Sequence, residues 1–173
     1  MSDILRTILV LCLVTMIPGL ELRASIPLGI FGGERVAVMI PWPVVTLICT
    51  IANILIGMAF FSLLHPIIRA LRHIRWMDSL LERFLTRAQR KLLPYVEKYG
   101  FWGLAVFIGI PLPLTGAITG AAGAYVLGMR HRQFFLANAI GVCIAAFLVT
   151  LLCLLLLAGW NIPGVRLFLK SNL

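Results

Sequence analysis

The stretch Ile17-Pro-Gly-Leu-Glu-Leu-Arg-Ala-Ser-Ile-Pro-Leu-Gly29 sets a glutamate, an arginine and two prolines inside a run otherwise apolar enough to enter a lipid bilayer. An ionisable side chain at membrane depth is tolerated mainly where it faces a bundle interior or a watery cavity. Irregular backbone survives there only where protein or water satisfies its amide groups. Glu21 and Arg23 are therefore the first functional candidates. Residues two apart on one helix do not face each other, so a local pair between them requires non-helical backbone. The competing reading is an interfacial helix end, with Arg23 snorkelling to water and Glu21 capping.

Around this stretch the chain is apolar from Ile4 to Phe31, but Pro18-Gly19 divides the run and Pro27 divides it again. Neither piece spans well. The arm from Ile4 to Ile17 reaches about 21 Å as a helix, against roughly 30 Å of hydrocarbon, so a re-entrant or broken helix fits better than a plain span. A cleaved signal peptide is not expected, since Asp3 offsets Arg6 and Leu22-Arg23-Ala24 is a poor cleavage site. Gly32-Gly33-Glu34-Arg35 reads as an interfacial turn, and Pro41-Trp42-Pro43 as a helix start with an aromatic anchor.

The rest of the chain has the same character. It is 61% hydrophobic and 12% charged, with a mean hydropathy of +1.05, which excludes an ordinary soluble domain and predicts a multi-pass protein of the cell membrane. The formal charge of +9 does not point to nucleic acid, because eight of the fifteen Lys and Arg fall between Arg69 and Lys98 among aliphatic residues at helical spacing. That pattern suits a basic helix on an anionic lipid surface. Cys12, Cys49, Cys143 and Cys153 all lie in apolar runs without disulfide or CxxC spacing and read as small buried hydrophobes.

Val44 to Leu64 carries no charge and is long enough to cross with ordinary geometry. It is the first full span, with Asn53 four positions before Gly57. Beyond His65-Pro66 the periodic set Ile67, Leu71, Ile74, Leu81, Phe84, Leu85, Ala88 and Leu92 predicts an amphipathic helix. Its solvated face carries Arg83, Arg87, Arg90 and Lys91 on the cytoplasmic side, and Pro94 ends or kinks it. Gly100 to Gly128 is apolar again, broken by Pro111-Leu-Pro113 and followed by Arg130-His131-Arg132. If both basic clusters are cytoplasmic, the segment from Phe101 to Leu127 must enter and leave on one side. Two crossings would need about 40 residues, more than this segment holds, so a second re-entrant hairpin is predicted. Phe134 to Trp160 is the second full span, with Asn138 three positions before Gly141 and a short tail carrying Arg166 and Lys170.

Ile26-Pro27-Leu28 precedes Asn53 much as Ile110-Pro111-Leu112 precedes Asn138, the two proline-to-asparagine spacings differing by a single position. Spans running in opposite directions would relate the halves by inversion, as in many secondary transporters. The expected fold is thus an all-α integral membrane protein forming a single membrane domain over 1–173. Two re-entrant, proline-broken hairpins stand in inverted repeat with two full transmembrane helices and a central amphipathic cytoplasmic helix. Residues 1–66 form the first half, 67–98 the linker helix and 99–173 the second half.

With these residues in view the chain resembles the small multi-drug export proteins, themselves similar to the broader DedA (VTT) membrane proteins. The matching residues are Pro18-x-x-Glu21-x-Arg23-x-x-Ile26-Pro27-Leu28-Gly29, the segment Gly109-Ile-Pro-Leu-Pro-Leu-Thr-Gly116, and Arg132-Gln-Phe134 with Asn138-x-x-Gly141. The resemblance runs from about Ile17 to Phe147 and implies two facing re-entrant hairpins. DedA-like proteins carry an arginine close to the second proline motif, whereas Phe107 to Thr119 holds no ionisable residue.

The candidate substrate- or ion-binding residues are Glu21, Arg23, Pro18, Pro27, Pro111, Pro113, Thr115, Gly116, Thr119, Asn53 and Asn138. Interhelical hydrogen bonds would account for the two asparagines, and bonds to their own helix backbone for the two threonines. No metal spacing, P-loop, GxSxG or HExxH occurs, and none of the five serines stands beside a plausible base. Neither an enzyme nor a cofactor is expected; Ser25 is the sole candidate for an intramembrane nucleophile. The leading expectation is a small transporter or flippase, ion-coupled, moving an amphipathic small molecule or a lipid-linked anionic substrate. Arg23 would bind the anion and Glu21 a proton or counter-ion. The alternative is a non-transporting scaffold or envelope-maintenance protein. Expected partners are the bilayer with its anionic lipids, the substrate, and a second copy, since a homodimer would better bury the polar hairpins.

Overall fold

The computed structural model describes residues 2–17, 19–32, 40–71, 100–111 and 115–160. Among them are six helices and no strand. They are α1 Ser2–Thr15, α2 Glu21–Phe31, α3 Trp42–Leu71, α4 Gly100–Gly109, α5 Ala117–Val126 and α6 His131–Trp160. The order is short, short, long, and then the same again. Four features expected from the sequence lie outside the described residues: Pro18 and Pro113, the turn at Glu34-Arg35, the amphipathic helix beyond Leu71, and the tail with Arg166 and Lys170.

The two long helices are apolar enough to cross a bilayer, over Trp42–Ile68 and His131–Gly159. Only 28% and 39% of their most apolar windows are buried within the protein, so they are not the core helices of a soluble domain. Leu55 is 63% and Phe147 66% exposed, faces that suit lipid. This is a membrane protein. At the start of α3 the Pro41 carbonyl accepts from Val44 and Val45, and Pro43 falls in the first turn, where a missing N–H costs nothing. α5 ends at Val126, and Gly128, with φ of 65°, closes the turn that follows. α6 then starts with the Gln133 side chain reaching back to the Arg130 N–H at 3.1 Å.

α3 and α6 are antiparallel. Phe61 stacks on Phe134 at 4.5 Å and meets His131 edge-on near one end, while Thr46 lies 3.0 Å from Thr150 near the other. α2 and α5 each pack against both long helices. Small residues set the closest approaches. A Cβ on Gly141 would lie 2.6 Å from the Ala105 carbonyl oxygen, so α4 rests directly on the α6 backbone.

Several boundaries differ from expectation. Pro27 does not divide the first run; it sits inside α2, which packs against α1 and both long helices. α3 likewise continues through Pro66 to Leu71. The two Ile-Pro-Leu tripeptides are therefore not equivalent, since Pro27 is helical and Pro111 lies in the gap between α4 and α5. Cys49 and Cys153 are buried, but Cys143 faces outward from α6.

Candidate functional site

The gap between α4 and α5 exposes two sets of backbone groups. Among the described residues Ile110 is the last to donate into α4, and no backbone donor to its own carbonyl is found among them; the first amides of α5 have no helical partner either. With no ionisable residue from Phe107 to Thr119, the segment cannot satisfy them with charge of its own.

Both sets are met by side chains from α2. The Glu21 carboxylate is only 3% exposed and accepts from the N–H of Ala117 at 2.8 Å and of Ile118 at 3.2 Å. It is an N-terminal cap supplied from far along the chain, and its negative charge lies at the positive end of the α5 dipole. Across the gap the Arg23 guanidinium donates to the carbonyls of Ile110, at 2.9 Å, and Thr115, and to the Thr115 hydroxyl at 2.9 Å. The Thr115 hydroxyl in turn donates to Ile110 at 2.7 Å. Cation meets carbonyl ends, and anion meets amide ends. Each hydrogen bond to a charged group contributes about 1.5–3 kcal/mol.

The local backbone makes this reach possible. Glu21 has φ 45°, the one described non-glycine residue with positive φ, a strained conformation for an L side chain. Following Gly19 at φ 87°, it opens α2 so that Glu21 reaches the α5 amides while Arg23, two residues on, spans the gap from Ile110 to Thr115. Gly116 completes the fit, because a Cβ there would stand 2.2 Å from Glu21 Oε2. The Thr119 hydroxyl accepts from the Gly116 N–H at 2.8 Å. Beneath Glu21, Ser25 contacts the Thr15 hydroxyl at 2.8 Å and so ties α2 to α1.

Asn53 of α3 donates to Glu21 Oε2 at 3.3 Å, and Asn138 of α6 donates to the Ile54 carbonyl at 3.2 Å beside Gly57. The structure thus brings together Glu21, Arg23, Asn53, Asn138, Thr115, Gly116 and Thr119. Pro111 is exposed at the gap, and Pro27 contributes helix rather than a break. Sequence reasoning missed the partners themselves, which are backbone groups of Ile110, Ala117 and Ile118. The signal for them was indirect: a proline break without any charge of its own needs caps from elsewhere. Away from this cluster, a groove of about 590 Å³ opens beside Phe101, Arg130, His131, Arg132, Gln133 and Leu136.

No curated protein sequence and no solved structure matches the chain. The model of the small multi-drug export proteins, a family whose label is itself provisional, matches residues 21–148, a span that begins at Glu21 and takes in every partner of Glu21 and Arg23 described above. The chain belongs to the small multi-drug export protein family.

Proposed function

We propose that this protein is a small multi-pass carrier of the cell membrane, in which two broken, re-entrant helical halves in inverted orientation rock against each other about the Glu21 and Arg23 contacts. The family's export label supports a transporter rather than an enzyme. The observation that carries the reading is that both charged side chains of α2 hold the ends of the α4–α5 gap. A helix break latched by ionisable groups can exist in two states. An anionic group on an amphipathic or lipid-linked substrate is a stronger acceptor for a guanidinium than a peptide carbonyl, and would release Arg23 from Ile110 and Thr115. Uptake of a proton or cation at Glu21 would weaken its hold on the α5 amides and couple the two events. The resemblance to DedA proteins fits this arrangement, since Arg23 supplies the cation at the second proline motif that the motif itself lacks. A homodimer would shield the polar hairpins from lipid.

The test is flux of a fluorescent anionic lipid and of an amphipathic dye in vesicles holding purified protein. Arg23→Lys keeps the charge but loses the fork, and is expected to slow flux at least tenfold at matched protein levels. Glu21→Gln is expected to remove dependence on an ion gradient. Flux equal to empty vesicles for the unaltered protein would favour the scaffold reading and overturn this one.

A further inference from the structure

Asn53 is 1% exposed and Asn138 is 0% exposed, yet the Oδ1 atoms of both accept no hydrogen bond from any described residue. Buried polar atoms are nearly always paired, so two orphans of one kind on neighbouring helices call for a cause. Exchanging oxygen and nitrogen of either amide does not help. It would set Asn138 Oδ1 against the Ile54 carbonyl and Asn53 Oδ1 against the Glu21 carboxylate, acceptor facing acceptor.

The orphans share a neighbourhood. Asn53 and Gly57 stand one turn apart on α3. A Cβ at Gly57 would lie 2.8 and 3.0 Å from the Asn138 amide and 3.0 Å from Ala117 Cβ. The Ala117 N–H in turn is bound to the same Glu21 oxygen that Asn53 reaches. Glu21 accepts three hydrogen bonds at a group with about four lone-pair sites, leaving room for one more partner. Gly57 and Gly116 keep side chains out of this space. The cluster therefore offers oxygen acceptors in excess of donors, in a place shielded from water.

We propose that Glu21, Asn53 and Asn138 bind one small monovalent cation, of the size of Na⁺ or Li⁺, beside the first turn of α5. The proposal rests on the reading of Glu21 as the coupling residue and names its ion. All three ligands are oxygens, which suits a hard cation and not a thiophilic or imidazole-seeking metal. There is one carboxylate, so a monovalent ion balances Glu21, whereas a divalent ion would leave excess positive charge in a low-dielectric site beside Arg23, whose own charge is met by the Ile110 and Thr115 carbonyls. The competing occupant is a single buried water, which could donate to both amides.

Thermal unfolding of the full-length protein in detergent decides between them, with NaCl, LiCl or choline chloride at constant ionic strength. A cation site gives a saturable rise in Tm in Na⁺ or Li⁺ and none in choline, about 5–10 °C at a hundredfold excess over Kd. Asn53→Leu and Asn138→Leu abolish the rise, whereas Asn138→Asp keeps an oxygen ligand, adds charge and lowers the half-saturating concentration. Equal Tm in all three salts would assign the cluster to water and overturn the proposal. So would an undiminished rise in both leucine variants or, where those do not fold, unchanged half-saturation in Asn138→Asp. Flux that requires Arg23 but ignores Na⁺ would overturn the cation site alone; a Na⁺-specific rise in Tm without flux would overturn the carrier alone.

Discussion

A single methyl group at Gly116 should break the joint between the two halves. The added Cβ would stand 2.2 Å from Glu21 Oε2 and 2.3 Å from Oε1 and Cδ, far inside contact distance. Gly116 has φ −134° and ψ −169°, extended backbone open to any residue, so the conflict is with the carboxylate and not with the backbone conformation. The carboxylate must withdraw and give up the Ala117 and Ile118 amides. Two hydrogen bonds to a charged group, at about 1.5–3 kcal/mol each, set the loss for Gly116→Ala at about 3–6 kcal/mol. Glu21→Gln strikes the same contacts from the other side, keeping one carbonyl oxygen but turning an NH₂ toward a backbone N–H, for about 2 kcal/mol. The double variant should therefore fall short of the sum of the singles by about 2 kcal/mol. Thermal unfolding in detergent reads this out, since each kcal/mol moves Tm by about 2–4 °C at this chain length. Strictly additive losses, or a Gly116→Ala protein with unchanged Tm, would refute the reasoning.

Cysteines placed at Gly100 and Arg130 are expected to label from the same face of the membrane if α4 and α5 form a re-entrant hairpin; labelling from opposite faces would make that segment a crossing. Gly141→Ala drives a Cβ to 2.6 Å from the Ala105 carbonyl oxygen and 2.7 Å from Ile108 Cβ. Backbone cannot yield there as a side-chain tip would, so a loss of about 1–3 kcal/mol is expected, measured as a lower Tm.

What could be read in the sequence was whatever carries its cost locally. Charge inside an apolar run singled out Glu21 and Arg23, and length with hydropathy located both long helices within a few positions except at the C-terminal end of α3. The proline pair at 111 and 113 marked the gap between α4 and α5. What could not be read depended on partners far along the chain. Pro27 and Pro66 look like breaks by residue type, yet both lie in helices held by packing. The asparagines looked fully explained as interhelical donors, whereas each leaves its oxygen unmatched. Glu21 and Arg23 looked like a pair or like an interfacial end; apart from Asn53, the described partners lie in the other half of the chain, beyond the reach of any periodicity. Gly116 drew notice only as part of a motif, and the need for it lies in a carboxylate from another helix.

The division of labour at the gap also bears on how the chain is made. Glu21 and Arg23 leave the ribosome well before Ile110 and Ala117, so for that interval the membrane receives two ionisable groups without their eventual partners. A charged residue facing lipid is costly, and long side chains can wait near the headgroups only until α4 and α5 arrive. Insertion of α4 and α5 then supplies both sets of partners at once. A fragment ending after α3 would keep the charges and lack the backbone groups that hold them, and a fragment beginning at α4 would have the reverse defect. Two copies of either fragment could not replace the whole, for all their similar order of helices: one half is built as the donor of caps and the other as their receiver.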